Sequence, residues 1–243
     1  EGSFETLILD LVNPSNSTVG ATAQHTLTIN EDDSAPQIHF ALTNSSLTEA
    51  NATHHVEVSV TSASINVITA FYSVTGGTAT SVSDYDLASG TVTFSSMSTA
   101  NRTVPITIYE DALYEPTETV IVDLSSPQNA TLGTNRPHTL SILDDDTSPD
   151  VSFTLASQTV VEDVGTVTVT ASLSALSGVD VAIPLTLSGS ATSGTDYQAL
   201  PSTVTITAGN VTELIAFTIT DDALNEGLET ITIVMGSVTG ANK

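Results

Sequence analysis

The chain has 243 residues, a formal charge of −25 and no Cys. Its basic residues are Arg102, Arg136 and Lys243 alone, so nucleic acid and acidic membrane surfaces are poor partners. A disulfide framework is excluded, and no apolar run approaches the ~20 residues needed to span a bilayer.

Hydrophobic residues make up 40% of the chain, enough for real cores, although Trp is absent and aromatics reach only 5%. Ser and Thr are abundant, which suits solvent-facing strand positions and loops. The N-terminus reads as mid-domain rather than as a signal peptide, so an excerpt of a longer or processed protein is expected.

Taken in order, the chain repeats itself. Glu-Thr followed by an alternating apolar run occurs at Glu5-Thr6-Leu7-Ile8-Leu9, Glu118-Thr119-Val120-Ile121-Val122 and Glu229-Thr230-Ile231-Thr232-Ile233, spaced by 113 and 111 residues. Asp32-Asp33 matches Asp145-Asp146, Glu49 matches Glu162, and Asp84-Tyr85 matches Asp196-Tyr197. The expected organisation is the last part of one unit at 1–33, a whole unit at 34–147, and a third at 148–243 that lacks its final strand.

Within a unit the apolar residues alternate, the period of a half-buried strand. Val56, Val58 and Val60 do so, as do Val104, Ile106 and Ile108, and Val120, Val122 and Leu124. The last unit repeats the pattern with Val167 and Val169, Val181 to Leu187, and Ile215 to Ile219. Turn residues such as Gly76-Gly77, Gly90, Gly133, Gly178 and Gly194 lie between the runs. No stretch of ten residues has helical period. About seven short strands in ~112 residues predict an all-β fold of tandem immunoglobulin-like antiparallel β-sandwiches. The joint Asp146-Thr147-Ser148-Pro149 is too short for a flexible tether, so successive sandwiches are expected to stack end to end.

The acidity has two readings, a generally acidic surface and local clusters, and both apply. Asp144-Asp145-Asp146 puts three carboxylates side by side, with Asp111, Glu115 and Glu118 about thirty residues upstream. With so few basic residues, the natural counter-charge is a hard cation, and calcium fits an all-carboxylate donor set. The carboxylates of one repeat exceed what one ion needs, so two to four bridged ions are expected. Without metal, carboxylates this close raise one another's pKa and push the loops apart.

Asp196-Tyr197, Thr203-Val204-Thr205-Ile206 and the run from Asp221 to Thr230 together resemble a Calx-beta domain. The middle unit carries the fuller pattern, with Asp84-Tyr85, Gly90 to Phe94, Asp111 to Thr119, Asn129 to Gly133 and Ile142 to Asp146. The resemblance covers the whole chain. It implies a calcium-binding, immunoglobulin-like sandwich of the kind found in sodium/calcium exchangers, integrin-associated surface proteins and bacterial adhesins. By position, the implied ligands in the middle unit are Glu49, Asp84, Asp111, Glu115, Glu118, Asp144, Asp145 and Asp146. In the last unit they are Glu162, Asp196, Asp222, Glu226 and Glu229, without a closing acidic triplet. In the first fragment Glu5, Glu31, Asp32 and Asp33 remain.

The pair His54-His55 reads as a surface pair, because adjacent strand residues face opposite ways and cannot share an ion. Sequons at Asn16, Asn44, Asn51, Asn101, Asn129 and Asn210 are candidate N-glycan acceptors in a secretory host. No Cys nucleophile, Gly-x-Ser-x-Gly elbow, phosphate loop or plausible His triad is present, so a non-enzymatic role is expected.

Two roles stay open. One is an extracellular structural or adhesive rod or filament stiffened by calcium; the other is a calcium-sensing regulatory domain pair of a membrane transporter such as a sodium/calcium exchanger. The scarcity of Lys and Arg favours the first. The expected partners are neighbouring repeats. Strand addition would also let residues 1–33 of one copy complete 148–243 of the next, with a cut array as the alternative.

Overall fold

The computed structural model describes residues 4–50 and 53–243; the Asn51 sequon lies outside them. The chain divides into two compact units. The first comprises Glu1–Ser46, Thr53–Ile108 and Thr119–Ser141; the second comprises Leu47–Ala52, Tyr109–Glu118 and Ile142–Lys243.

The first unit begins with β1 (Phe4–Asp10) and β2 (Gln24–Asn30), an antiparallel pair in which Leu7 faces Leu27. Ten further strands belong to it wholly or in large part. They are β3 (Gln37–Phe40), β4 (Asn44–Thr48), β5 (Thr53–Val60), β6 (Ile68–Gly77), β7 (Tyr85–Asp86), β8 (Gly90–Phe94), β9 (Arg102–Ile108), β10 (Glu118–Gln128), β11 (Thr131–Leu132) and β12 (His138–Leu143). They form two five-stranded sheets, ordered β4-β12-β10-β6-β8 and β11-β3-β5-β9-β7.

Alternation decides which side of each strand is dry. Along β9, Val104, Ile106 and Ile108 are buried while Thr103 and Pro105 are exposed. Phe40, Val58 and Ile106 from one sheet and Phe94, Val122 and Leu140 from the other are all fully buried. Each such side chain contributes about 1.5–3 kcal/mol relative to exposure, so these inner faces hold the first unit together.

The second unit contains β13 (Val151–Phe153), a 3-10 turn at Glu162–Val164, β14 (Thr166–Leu173), β15 (Val181–Gly189), β16 (Thr203–Ile206), β17 (Thr212–Thr218) and β18 (Ile231–Met235). Their sheets are β13-β14-β17 and β16-β15-β18. Val151, Ala171, Leu173, Ile183, Ile206 and Met235 meet in one buried cluster, which draws on both sheets. A smaller cluster surrounds Tyr197 and Phe217, whose rings meet edge to face at 6.3 Å.

The predicted β-sandwich class agrees with this architecture, with one departure from purely antiparallel pairing. β11 runs parallel to β3, through Thr131 opposite Gln37 and Leu132 opposite Ile38. The second unit repeats the device in miniature, as a parallel bridge between Asp150 and Asn242. A two-residue return to the first strand is too short to show in an alternation pattern.

A second departure concerns the histidines. His54 and His55 do face opposite ways, but His54 is not at the surface. It shares the inward parity of Val56 and Val58 and is half-buried, while His55 is exposed.

Candidate metal centre

Short local motifs aim the acidic side chains of the second unit. Asp111 accepts the N–H of Leu113 at 2.8 Å, and Asp222 accepts that of Leu224 at 2.6 Å. An Asp that bonds the backbone two residues on closes an Asx turn, and each turn opens an acidic loop leading to Glu115 or Glu226. Asp196 accepts the N–H of Thr192 at 2.6 Å. Asp84, in the first unit, holds the N–H of Thr80 in the same way.

One group of carboxylates gathers around Glu49. Its side chain is only 5% exposed, and its N–H donates to the Leu143 carbonyl at 3.1 Å. Burial pushes the Glu49 carboxyl up to about 7, helped by the charges of Asp111, Asp144, Glu115 and Glu110. Asp146 is also raised, by desolvation first and then by Asp144, Asp111 and Asp145. Its N–H donates to Asp144 Oδ1 at 3.3 Å, and its Oδ2 is buried without a hydrogen-bond partner. Glu110 is raised by desolvation and by Asp145, Asp146, Asp111 and Asp144. Sequence reasoning missed Glu110, although it stands next to Asp111 and the acidic character of the run signals it.

A second group joins Asp196, Glu226 and Glu229, whose oxygens lie within 4.8 Å of one another. Glu226 is raised by desolvation and by Asp196, Asp222 and Glu162. Glu229 is raised by desolvation and then by Asp196, both through charge and through a hydrogen bond between the two side chains, with smaller effects of Glu226 and Glu162. Glu162 reaches this neighbourhood from the 3-10 turn, which carries two acidic residues. Asp196, Asp222, Glu226, Glu229 and Glu162, assigned together from sequence, therefore act on one another electrostatically.

In the first unit Glu31, Asp32 and Asp33 also place oxygens within 4.8 Å. Glu31 Oε1 accepts the N–H groups of Asp32 and Asp33 at 3.1 and 3.0 Å. Glu5 lies on β1 opposite Ile29 and joins no acidic cluster among the described residues.

Arg136 is bound to Asp123, Arg102 stacks over Phe94 and donates to the Thr93 carbonyl, and the Lys243 ammonium meets the Met235 carbonyl. These are all the Lys and Arg residues of the chain. Hard oxygen donors and an orphaned buried oxygen are conditions that suit calcium.

The Calx-beta domain model matches residues 31–146 and again 144–243. The chain belongs to the Calx-beta domain family.

Among solved structures, it is similar to CBD12 from CALX1.2, with 20% identity, 83% of this chain and 80% of that chain covered, and a TM-score of 0.44. The calcium binding domain CBD12 of CALX1.1 is similar at 18% identity, with the same shares and TM-score. The apo-form Calx CBD1 domain is matched over 46% of this chain and 100% of its own, at 21% identity and a TM-score of 0.44. No curated protein matches the chain. Two Calx-beta matches in tandem agree with the internal repeat read from the sequence.

Proposed function

We propose that this Calx-beta chain is a calcium-binding, non-enzymatic structural segment of an extracellular or cell-surface protein, with the metal stiffening successive repeats. The supporting observation is the Glu49 group, in which a buried carboxyl stands among four other acidic side chains while every Lys and Arg is engaged elsewhere.

Glu49, Asp111, Glu115, Glu118, Asp144, Asp145 and Asp146 would hold calcium in one set, and Glu162, Asp196, Asp222, Glu226 and Glu229 in another. Glu31, Asp32 and Asp33 form a third, smaller set. Bound calcium supplies the positive charge that cancels their repulsion. The protein's part is to pre-position the oxygens through the Asx turns at Asp111 and Asp222. The described sequon residues Asn16, Asn44, Asn101, Asn129 and Asn210 are all exposed, which suits a glycosylated surface protein.

A thermal melt of the full chain with calcium and with chelator tests this reading, because a ligand of the folded state alone raises the midpoint. An unchanged midpoint overturns calcium binding. A calcium titration then separates the two roles. A rod outside the cell binds at about 10⁻⁴–10⁻³ M, whereas a regulatory domain pair of a cytosolic transporter loop needs about 10⁻⁷–10⁻⁵ M.

A further inference from the structure

Away from the acidic loops, the first unit holds a polar group inside its sandwich. Ser45 on β4, His54 on β5 and His138 on β12 meet there, although 93 residues separate Ser45 from His138. β4 and β12 are neighbours in one sheet and β5 belongs to the other, so the two rings approach from facing sheets. His138 is 2% exposed and its ring packs against Phe40 at 5.6 Å.

The hydrogen bonds set the tautomers. His138 Nδ1 lies 2.7 Å from the Leu42 carbonyl, which can only accept, so Nδ1 carries the proton. In the neutral ring Nε2 then presents a lone pair, and Ser45 Oγ stands 2.8 Å from it. Ser45 has a single hydroxyl proton, which it gives to His138 Nε2, so its Oγ accepts the N–H of His54 Nε2, also at 2.8 Å. Two imidazole nitrogens from opposite sheets thus point at one oxygen. A cavity of about 220 Å³ adjoins them, bordered by Ala41, Leu42, His55, Val56 and Glu57 as well as these three residues.

We propose that Ser45, His54 and His138 form a site for an imidazole-seeking divalent transition ion of the Zn²⁺ class, separate from the carboxylate groups. Zinc and its neighbours prefer imidazole nitrogen, whereas calcium prefers hard oxygen. A histidine ligand characteristically donates its other ring N–H to a carbonyl or carboxylate, as His138 does to Leu42. Ion binding would shift the His54 proton from Nε2 to Nδ1 and free Nε2 as a ligand. The Ser45 hydroxyl and water in the cavity supply the remaining positions of a four-coordinate shell. Burial lowers the proton affinity of both rings, so they are neutral and competent as ligands at neutral pH.

ZnCl₂ titrated calorimetrically into the full chain, with calcium in excess to occupy the carboxylates, tests the assignment. One zinc site is expected, weakened at least tenfold by His54→Ala and unchanged by His25→Ala, which lies on β2 and does not border the cavity. Ring ¹⁵N spectra of the unmutated protein read the same event without any variant. Zinc should shift the Nε2 resonances of two histidines and no others. Absence of zinc binding, equal binding by His54→Ala, or spectra in which the Nε2 signals of these two rings do not move would each overturn the site.

Discussion

Arg136 grips Asp123 through two parallel bonds, Nε to Oδ1 at 2.8 Å and Nη2 to Oδ2 at 2.6 Å. Asp123 lies on β10, and its Oδ1 also accepts its neighbour Leu124's N–H at 2.8 Å. A bidentate pair is stronger than an ordinary surface ion pair, but partial exposure of both side chains limits it. Arg136→Met is expected to lower stability by about 1 kcal/mol. A double-mutant cycle with Asp123→Asn, followed by urea unfolding, should return a coupling of similar size; no coupling would show that the pair is incidental.

Gly77 and Gly189 occupy equivalent places in two repeats, with φ of +126° and +131°. A Cβ at Gly77 would stand 2.1 Å from the Thr119 carbonyl oxygen, and one at Gly189 would stand 2.0 Å from that of Thr230. Gly77 reads from sequence as a turn residue, but each of the two glycines ends a strand where another backbone passes close. Either Gly→Ala change combines a disfavoured φ with a backbone clash, so a loss of about 2 kcal/mol or more is expected. Chemical denaturation of the two variants checks this; near-native midpoints would contradict the close approach.

Glu49 makes the metal-free protein sensitive to pH. Its folded pKa is about 7 against an ordinary 4.5, so the folded state holds its proton more tightly than the unfolded state. The contribution is therefore fully present below pH 4.5 and is lost as pH rises through 7. In chelator, Glu49→Gln should gain about 2–3 kcal/mol over the unmutated protein between pH 4.5 and pH 8. With calcium at pH 8 the order should reverse, because the variant lacks a ligand. Melting curves at the two pH values, with and without calcium, decide it, and a pH-independent difference in chelator would refute the shift.

Asp196 touches both glutamates of the last repeat's group, and it is the charge that acts most strongly on each. Asp196→Asn should lower the number of calcium ions bound by the full chain and leave those at the Glu49 group in place. Equilibrium dialysis against radioactive calcium gives the count. An undiminished count would remove this group from the metal sites.

Alternation along single strands was enough to read the fold class, because a strand buries every second residue whatever its neighbours are. Val104, Ile106 and Ile108 show this directly. The 111–113 residue spacing of the Glu-Thr motifs likewise exposed the tandem repeat, and the carboxylates that recur with it proved to be neighbours in the group of Asp196, Glu226 and Glu229. Burial was not legible in the same way. Nothing local to Glu49 distinguishes it from Glu5, yet one is enclosed and strongly shifted and the other lies open on β1.

Strand order is where sequence reading stopped. Period two says which face of a strand is dry, but not which distant strand lies beside it. β4 and β12 become neighbours, and β5 faces them, only when the two sheets close. That closure turned His54 from an expected surface residue into an interior one and brought it to the same hydroxyl as His138. The repeat, the strands and the acidic positions are thus properties of the sequence alone. The raised Glu49 carboxyl and the Ser45–His54–His138 group belong to the tertiary structure, because each depends on desolvation and contact between segments far apart in the chain.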